Sequence, residues 1–110
     1  MSRSLAELSK LVSRVSDTYA SRNDIVRDDD WYLLKVQEEL GELVAEYLKA
    51  TQRGRLKGAS SQDVRRAMED EAADVLAMLL LFASNNGIDL EAALERKWFQ
   101  YLDRSPNVRD

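Results

Sequence analysis

From Leu33 to Tyr47 the apolar side chains Leu33, Val36, Leu40, Leu43 and Tyr47 recur at alternating steps of three and four residues. That spacing lines one face of an α-helix, and a strand's period of two does not produce it. Leu5, Leu8, Val12, Val15 and Tyr19 repeat the rhythm earlier in the chain, so a first helix is expected over about Ser4 to Tyr19. A polar stretch from Ala20 to Asp30 follows. Within it, Asp28-Asp29-Asp30 offers an N-cap and negative charge suited to the dipole of a second helix. Gln52 to Ser61, which contains Gly54 and Gly58, reads as the longest internal loop. Ser60 and Asp63 resemble a capping box opening a third helix, which continues to Asn86 and stops where Gly87 suits a C-cap. Asp89 caps a fourth helix reaching about Leu102. Pro106 lies in a polar tail, residues 105–110, that is expected to fray. No stretch reads as a strand. The expected class is all-α, a four-helix antiparallel bundle in a single domain over residues 1–110.

The residue inventory narrows the chemistry. Cys and His are both absent, which excludes disulfides, thiolate sites, cysteine nucleophiles and the commonest general base. A metal site in this chain must be built from carboxylates, and oxygen donors favour hard cations such as Mg²⁺ or Mn²⁺. With 20 acidic and 16 basic side chains and a net charge of -4, the chain lacks the broad basic face of a nucleic-acid binder. Val75 to Ala83 is the longest apolar run and is too short to span a bilayer. Met1-Ser2-Arg3-Ser4 leads into a polar amphipathic segment without a signal-peptide pattern. A soluble cytoplasmic protein is therefore expected.

Two acidic stretches stand out: Glu38-Glu39-Leu40-Gly41-Glu42 on the second helix, and Glu71-Ala72-Ala73-Asp74 on the third. Residues three apart share a helix face, so Glu39 pairs with Glu42 and Glu71 with Asp74. Two such pairs on facing antiparallel helices would present four carboxylates to one point. Asp74 lies close in azimuth to Ala67, Met78 and Leu81, and Glu71 to Val64, Val75 and Phe82, at about 100° per residue. Carboxylates at the edge of so apolar a helix are costly if unpaired, and a divalent cation offsets that cost. The plainer alternative is a solvated helix face with intrahelical pairs such as Lys35 with Glu39. Against it, Glu38 with Glu42 and Glu42 with Glu46 are like-charge pairs four apart, each mildly destabilising.

At these residues the chain resembles the MazG-like all-α nucleoside triphosphate pyrophosphohydrolases, in their short single-domain form. Their E-E-x-x-E followed by E-x-x-D is matched by Glu38, Glu39, Glu42, Glu71 and Asp74. Gly87-Ile88-Asp89 and Arg96-Lys97-Trp98 extend the likeness, which covers Trp31 to Trp98. The resemblance implies Mg²⁺-dependent hydrolysis of a nucleoside triphosphate to the monophosphate and pyrophosphate, with Mn²⁺ as a substitute and nucleotide-pool cleansing as the role. It makes Glu39, Glu42, Glu71 and Asp74 metal ligands, and Glu38 a further ligand or the base that orients the attacking water. It also implies a bundle completed by dimerisation, or a dimer-of-dimers tetramer. The apolar circumference of Val75 to Ala83 independently favours burial against another copy, since three short helices can hardly cover it.

Around this centre, Lys97 and Arg96 are candidates for contact with the phosphates, as are Arg53 and Arg55 in the loop between the acidic helices. Trp31 is a candidate to stack on the base; each of these residues also has an ordinary surface or packing role open to it. Two rival functions remain. One is phosphoribosyl-ATP pyrophosphohydrolase, which the Glu71–Asp74 motif also fits well, although the Arg96-Lys97-Trp98 ending favours the MazG-like branch. The other is a helical interaction module without chemistry. The base and sugar accepted depend on pocket shape, which sequence does not reveal.

Overall fold

The computed structural model describes residues 2–53 and 58–102. All regular elements among them are helical: α1 (Leu5–Asn23), α2 (Asp29–Ala50), α3 (Ser61–Asn85), α4 (Leu90–Lys97) and a 3₁₀ turn over Phe99–Tyr101. Each α-helix starts at a polar cap that accepts a backbone N–H, satisfying donors the helix cannot pair internally. Asp28 caps Trp31, Asp89 caps Ala92, and Ser60 forms a reciprocal capping box with Asp63. Ser4 and Glu7 form a second such box at the head of α1.

Two helix ends differ from expectation. The first helix runs four residues past Tyr19, because the stop is Asp24, which takes the left-handed conformation (φ 50°) that Asp tolerates. The fourth ends at Lys97 rather than near Leu102. There the Gln100 side chain donates to the Arg96 carbonyl at 2.9 Å, taking up an acceptor that a longer helix would use. Gly87 does terminate α3: at φ +64° it lets Ile88 N–H reach the Ala83 carbonyl at 2.8 Å. The proposed tail at 105–110 lies outside the described residues.

Packing centres on the α2–α3 pair. The pair is antiparallel, since Asn85 at the end of α3 donates to the Asp29 carboxylate at the start of α2. The α1 helix lies on α3 more lightly, and α4 scarcely touches the rest. Arg27 anchors α1 to the head of α2: its guanidinium pairs with Asp17 at 2.9 Å, donates to Ser16 Oγ at 2.8 Å and faces the Tyr32 ring. Only Ala20, Tyr32, Val64, Leu80, Leu81 and Ala83 form a buried apolar core among the described residues. Within one chain Val75–Ala83 is only partly covered, with Leu76 45% and Leu79 39% exposed.

On α2 and α3 most of the exposed large apolar residues share a face. Helical geometry places Leu33, Leu40, Val44 and Tyr47 of α2 within about 60° of one another, and Ala72, Leu76 and Leu79 of α3 likewise. In each helix the stripe lies about 140° from the acidic residues, in the same rotational sense. In an antiparallel pair an equal sense of offset falls on the same side. The hairpin therefore has one carboxylate side and one apolar side.

Candidate metal centre

Glu39 and Glu42 lie one helical turn apart at the middle of α2, and α3 brings Glu71 between them from the facing side. One carboxylate oxygen of each of the three falls within 4.8 Å of the others. Glu39 and Glu71 are half-buried, while Glu42 is exposed. Glu71 Oε2 is shut off from solvent with no hydrogen-bond partner. Burial pushes the Glu71 carboxyl up to about 7; Glu42, close enough to share a proton with it, and the charges of Asp74 and Glu39 push the same way. Glu39 is also raised, first by burial and then by the charges of Glu42 and Asp74.

An orphaned buried oxygen and mutually repelling carboxylates are what a site for a hard divalent cation presents when considered as protein alone. The donor set is all oxygen and carries the opposite charge. The residues fit such an ion.

Asp74 stands one turn along α3 from Glu71. It is exposed and outside the tightest trio, yet near enough for its charge to act on both Glu39 and Glu71. Glu38 is further out, its side chain 55% exposed and its Oε1 held by Lys35 Nζ at 3.2 Å. Trp31 is half-buried on the same side of α2, its ring edge-on to Tyr32 at 5.2 Å. It lies about 12 Å along the helix axis from Glu39.

The expected phosphate contacts are not gathered here. Arg53 lies past the C-terminal end of α2, its guanidinium over the Tyr47 ring at 5.7 Å and its Nε bonded to Thr51. Arg96 and Lys97 are exposed in the last turn of α4, the helix with the fewest contacts to the hairpin. Arg55 lies outside the described residues. Among the described residues, the cation that reaches the carboxylates is Lys35, 3.2 Å from Glu38 and 3.8 Å from Glu39. In the sequence it reads only as half of an ordinary intrahelical pair. The signal was its position three and four residues before two adjacent acids, on the side that becomes the site.

The geometry meets an independent likeness over most of the chain. The model of the MazG nucleotide pyrophosphohydrolase domain matches residues 27–109. The chain belongs to this family. No curated protein and no solved structure matches it. The MazG match begins at Arg27, the residue that ties α1 to α2, so α1 lies wholly outside it. Membership makes the chain a nucleotide pyrophosphohydrolase in general kind, and MazG domains generally depend on a divalent metal.

Proposed function

We propose that this MazG domain hydrolyses a (deoxy)nucleoside triphosphate to the monophosphate and pyrophosphate, using Mg²⁺ held by Glu39, Glu42, Glu71 and Asp74. The observation that carries the reading is the convergence of three carboxylates, one of which, Glu71, keeps a buried and unpaired oxygen. Bound there, the ion would neutralise phosphate charge and make water more acidic; Mn²⁺ would substitute through the same oxygen donors.

The protein's own contribution is placement. Glu39 and Glu71, being half-buried, fix the depth of the site, while exposed Glu42 and Asp74 open it toward solvent, where a triphosphate can enter. Glu38, at the outer edge of the row, accepts the proton of the attacking water as the α–β anhydride bond breaks. Phosphoryl transfer asks for positioning and charge compensation more than covalent help, so a chain without His or Cys is equipped for it. In the same reading Trp31 offers a face to the base, and Arg53, Arg55, Arg96 and Lys97 approach the phosphates only through movement or from a neighbouring copy.

That neighbouring copy is part of the proposal. Pairing the apolar side of two hairpins would give a four-helix core and a homodimer, which could pair again as a tetramer. The exposed apolar side chains Leu33, Leu40, Val44, Leu76 and Leu79 support this, because a contiguous apolar face is what an interface buries. A cytoplasmic location and a role in cleansing nucleotide pools belong to the same proposal.

The decisive test is a panel of ordinary and modified nucleoside triphosphates with Mg²⁺, measuring pyrophosphate release, with phosphoribosyl-ATP included. Release from at least one triphosphate, abolished by chelation, is expected. Strong preference for phosphoribosyl-ATP would shift the substrate assignment. No release from any of them would end it in favour of a non-catalytic module.

A further inference from the structure

Lys35 occupies a singular place. Its side chain is 29% exposed, its ammonium lies 3.2 Å from Glu38 and 3.8 Å from Glu39, and its other neighbour is the Trp31 ring at 5.9 Å to the centroid. It thus stands on α2 between the aromatic face proposed for the base and the carboxylates proposed for the ion. Glu39 is a member of the converging trio, so the ammonium is bound to an oxygen-donor set that a divalent ion would also use. Both cannot neutralise Glu39 at full strength, because like charges held a few ångströms apart repel.

We infer that Lys35 is the exchangeable cation of the site, compensating Glu38 and Glu39 in the metal-free protein and turning to the substrate's phosphate oxygens once an ion takes those carboxylates. The inference rests on the proposed metal and triphosphate. A lysine suits the role better than an arginine would: its compact ammonium sits on a flexible four-carbon stem that can swing without breaking a bidentate geometry. The ring of Trp31 holds the stem on the correct side of the helix in either position. Among the described residues, the other lysine bonded to an acid of this row is Lys49. It pairs with Glu46 at 3.0 Å, at the far end from Trp31, where it would not lie between base and ion.

The test compares the full-length wild type with Lys35→Met, which keeps the stem and removes the charge, and with Lys35→Arg, which keeps the charge. Calorimetric titration of the metal-free protein with Mn²⁺ should show binding tighter in Lys35→Met by about fivefold, the size of one partly exposed ion pair. The KM for the best triphosphate should move the opposite way, rising by about tenfold or more with loss of a charge-assisted contact. Lys35→Arg should recover most of the KM. A residue that only supports the helix would not move the two quantities in opposite directions. Unchanged Mn²⁺ affinity and unchanged KM in Lys35→Met would overturn the inference while leaving the function intact. Weakened Mn²⁺ binding in a variant with wild-type circular dichroism would overturn it too. Wild type that binds no Mn²⁺ would sink both this inference and the reading beneath it.

Discussion

On one side of the α2–α3 hairpin, Glu39, Glu42 and Glu71 crowd together, and Glu71 keeps a buried oxygen that has no partner. On the other, Leu33, Leu40, Val44, Leu76 and Leu79 face outward with roughly half their surface exposed. Both sides are built by the same two helices, and each is unfavourable in an isolated, metal-free chain. Their remedies differ in kind. The first calls for a concentrated positive charge and tolerates water nearby; the second calls for apolar area and excludes water. Two helices with opposite deficits on opposite sides can answer one without disturbing the other. A pyrophosphohydrolase built this way would assemble through one side and do its chemistry on the other.

The largest effect expected from breaking that division is on the carboxylate side. Glu71→Gln keeps the shape and removes the charge at the point where the trio converges. Pyrophosphate release should fall by about 10²–10³-fold or more, the scale of losing a main electrostatic element of a phosphoryl-transfer site. The variant should keep its helical circular dichroism and its wild-type mass in solution, because the apolar side is untouched. Asp74→Asn should act in the same direction. Activity surviving both changes would mean that these carboxylates do not hold the ion.

The complementary change is Leu40→Glu combined with Leu76→Glu, which places charges in the middle of the apolar side. Sedimentation should show the wild-type assembly replaced by monomer over the micromolar range, since an unpaired charge buried at an interface costs several kcal/mol. The wild-type melting temperature should rise with protein concentration, and that of the double variant should not. A wild type that sediments as a monomer at every concentration would leave the exposed stripe without a purpose and remove the comparison on which this picture rests.

How much of this was readable in advance follows from what kind of force fixes each feature. Helix identities, the Asp28, Ser60 and Asp89 caps and the Gly87 stop are local effects, set by residues within one turn of each other, and the sequence carries them openly. The α1 and α4 ends were missed because a left-handed Asp24 and a Gln100 side chain binding back to Arg96 override periodicity. The meeting of Glu39 and Glu42 with Glu71 was legible only because both pairs recur at a three-residue step beside apolar stripes. Lys35 was not, since the same spacing makes an ordinary surface pair wherever α3 is not alongside. What distinguishes it is that its partner Glu39 meets Glu71 of α3, a contact contributed by tertiary packing.

The subtlest expected effect concerns acidity and stability of the metal-free protein. The Glu71 carboxyl is raised from an ordinary 4.5 to about 7, with Glu39 raised in the same direction by burial and by its acidic neighbours. Below 4.5 the folded and unfolded states are both protonated at these positions and nothing changes. Between 4.5 and 7 the unfolded chain gives up a proton that the folded site retains, so stability falls as pH rises, levelling off above 7. Lys35, also raised, adds a stabilisation that is constant below its ordinary 10.5 and is lost only above it, so it leaves the slope within this window unchanged. Melting in the presence of chelator should therefore come at a lower temperature at pH 8 than at pH 5, by roughly 5 °C. Glu71→Gln should flatten that slope and melt higher than wild type at pH 8, and saturating Mg²⁺ should restore the wild type there by answering the same repulsion. A wild type more stable at pH 8 than at pH 5 without metal would show that these carboxylates are not held together in solution, and that the strain ascribed to the carboxylate side of the hairpin is absent.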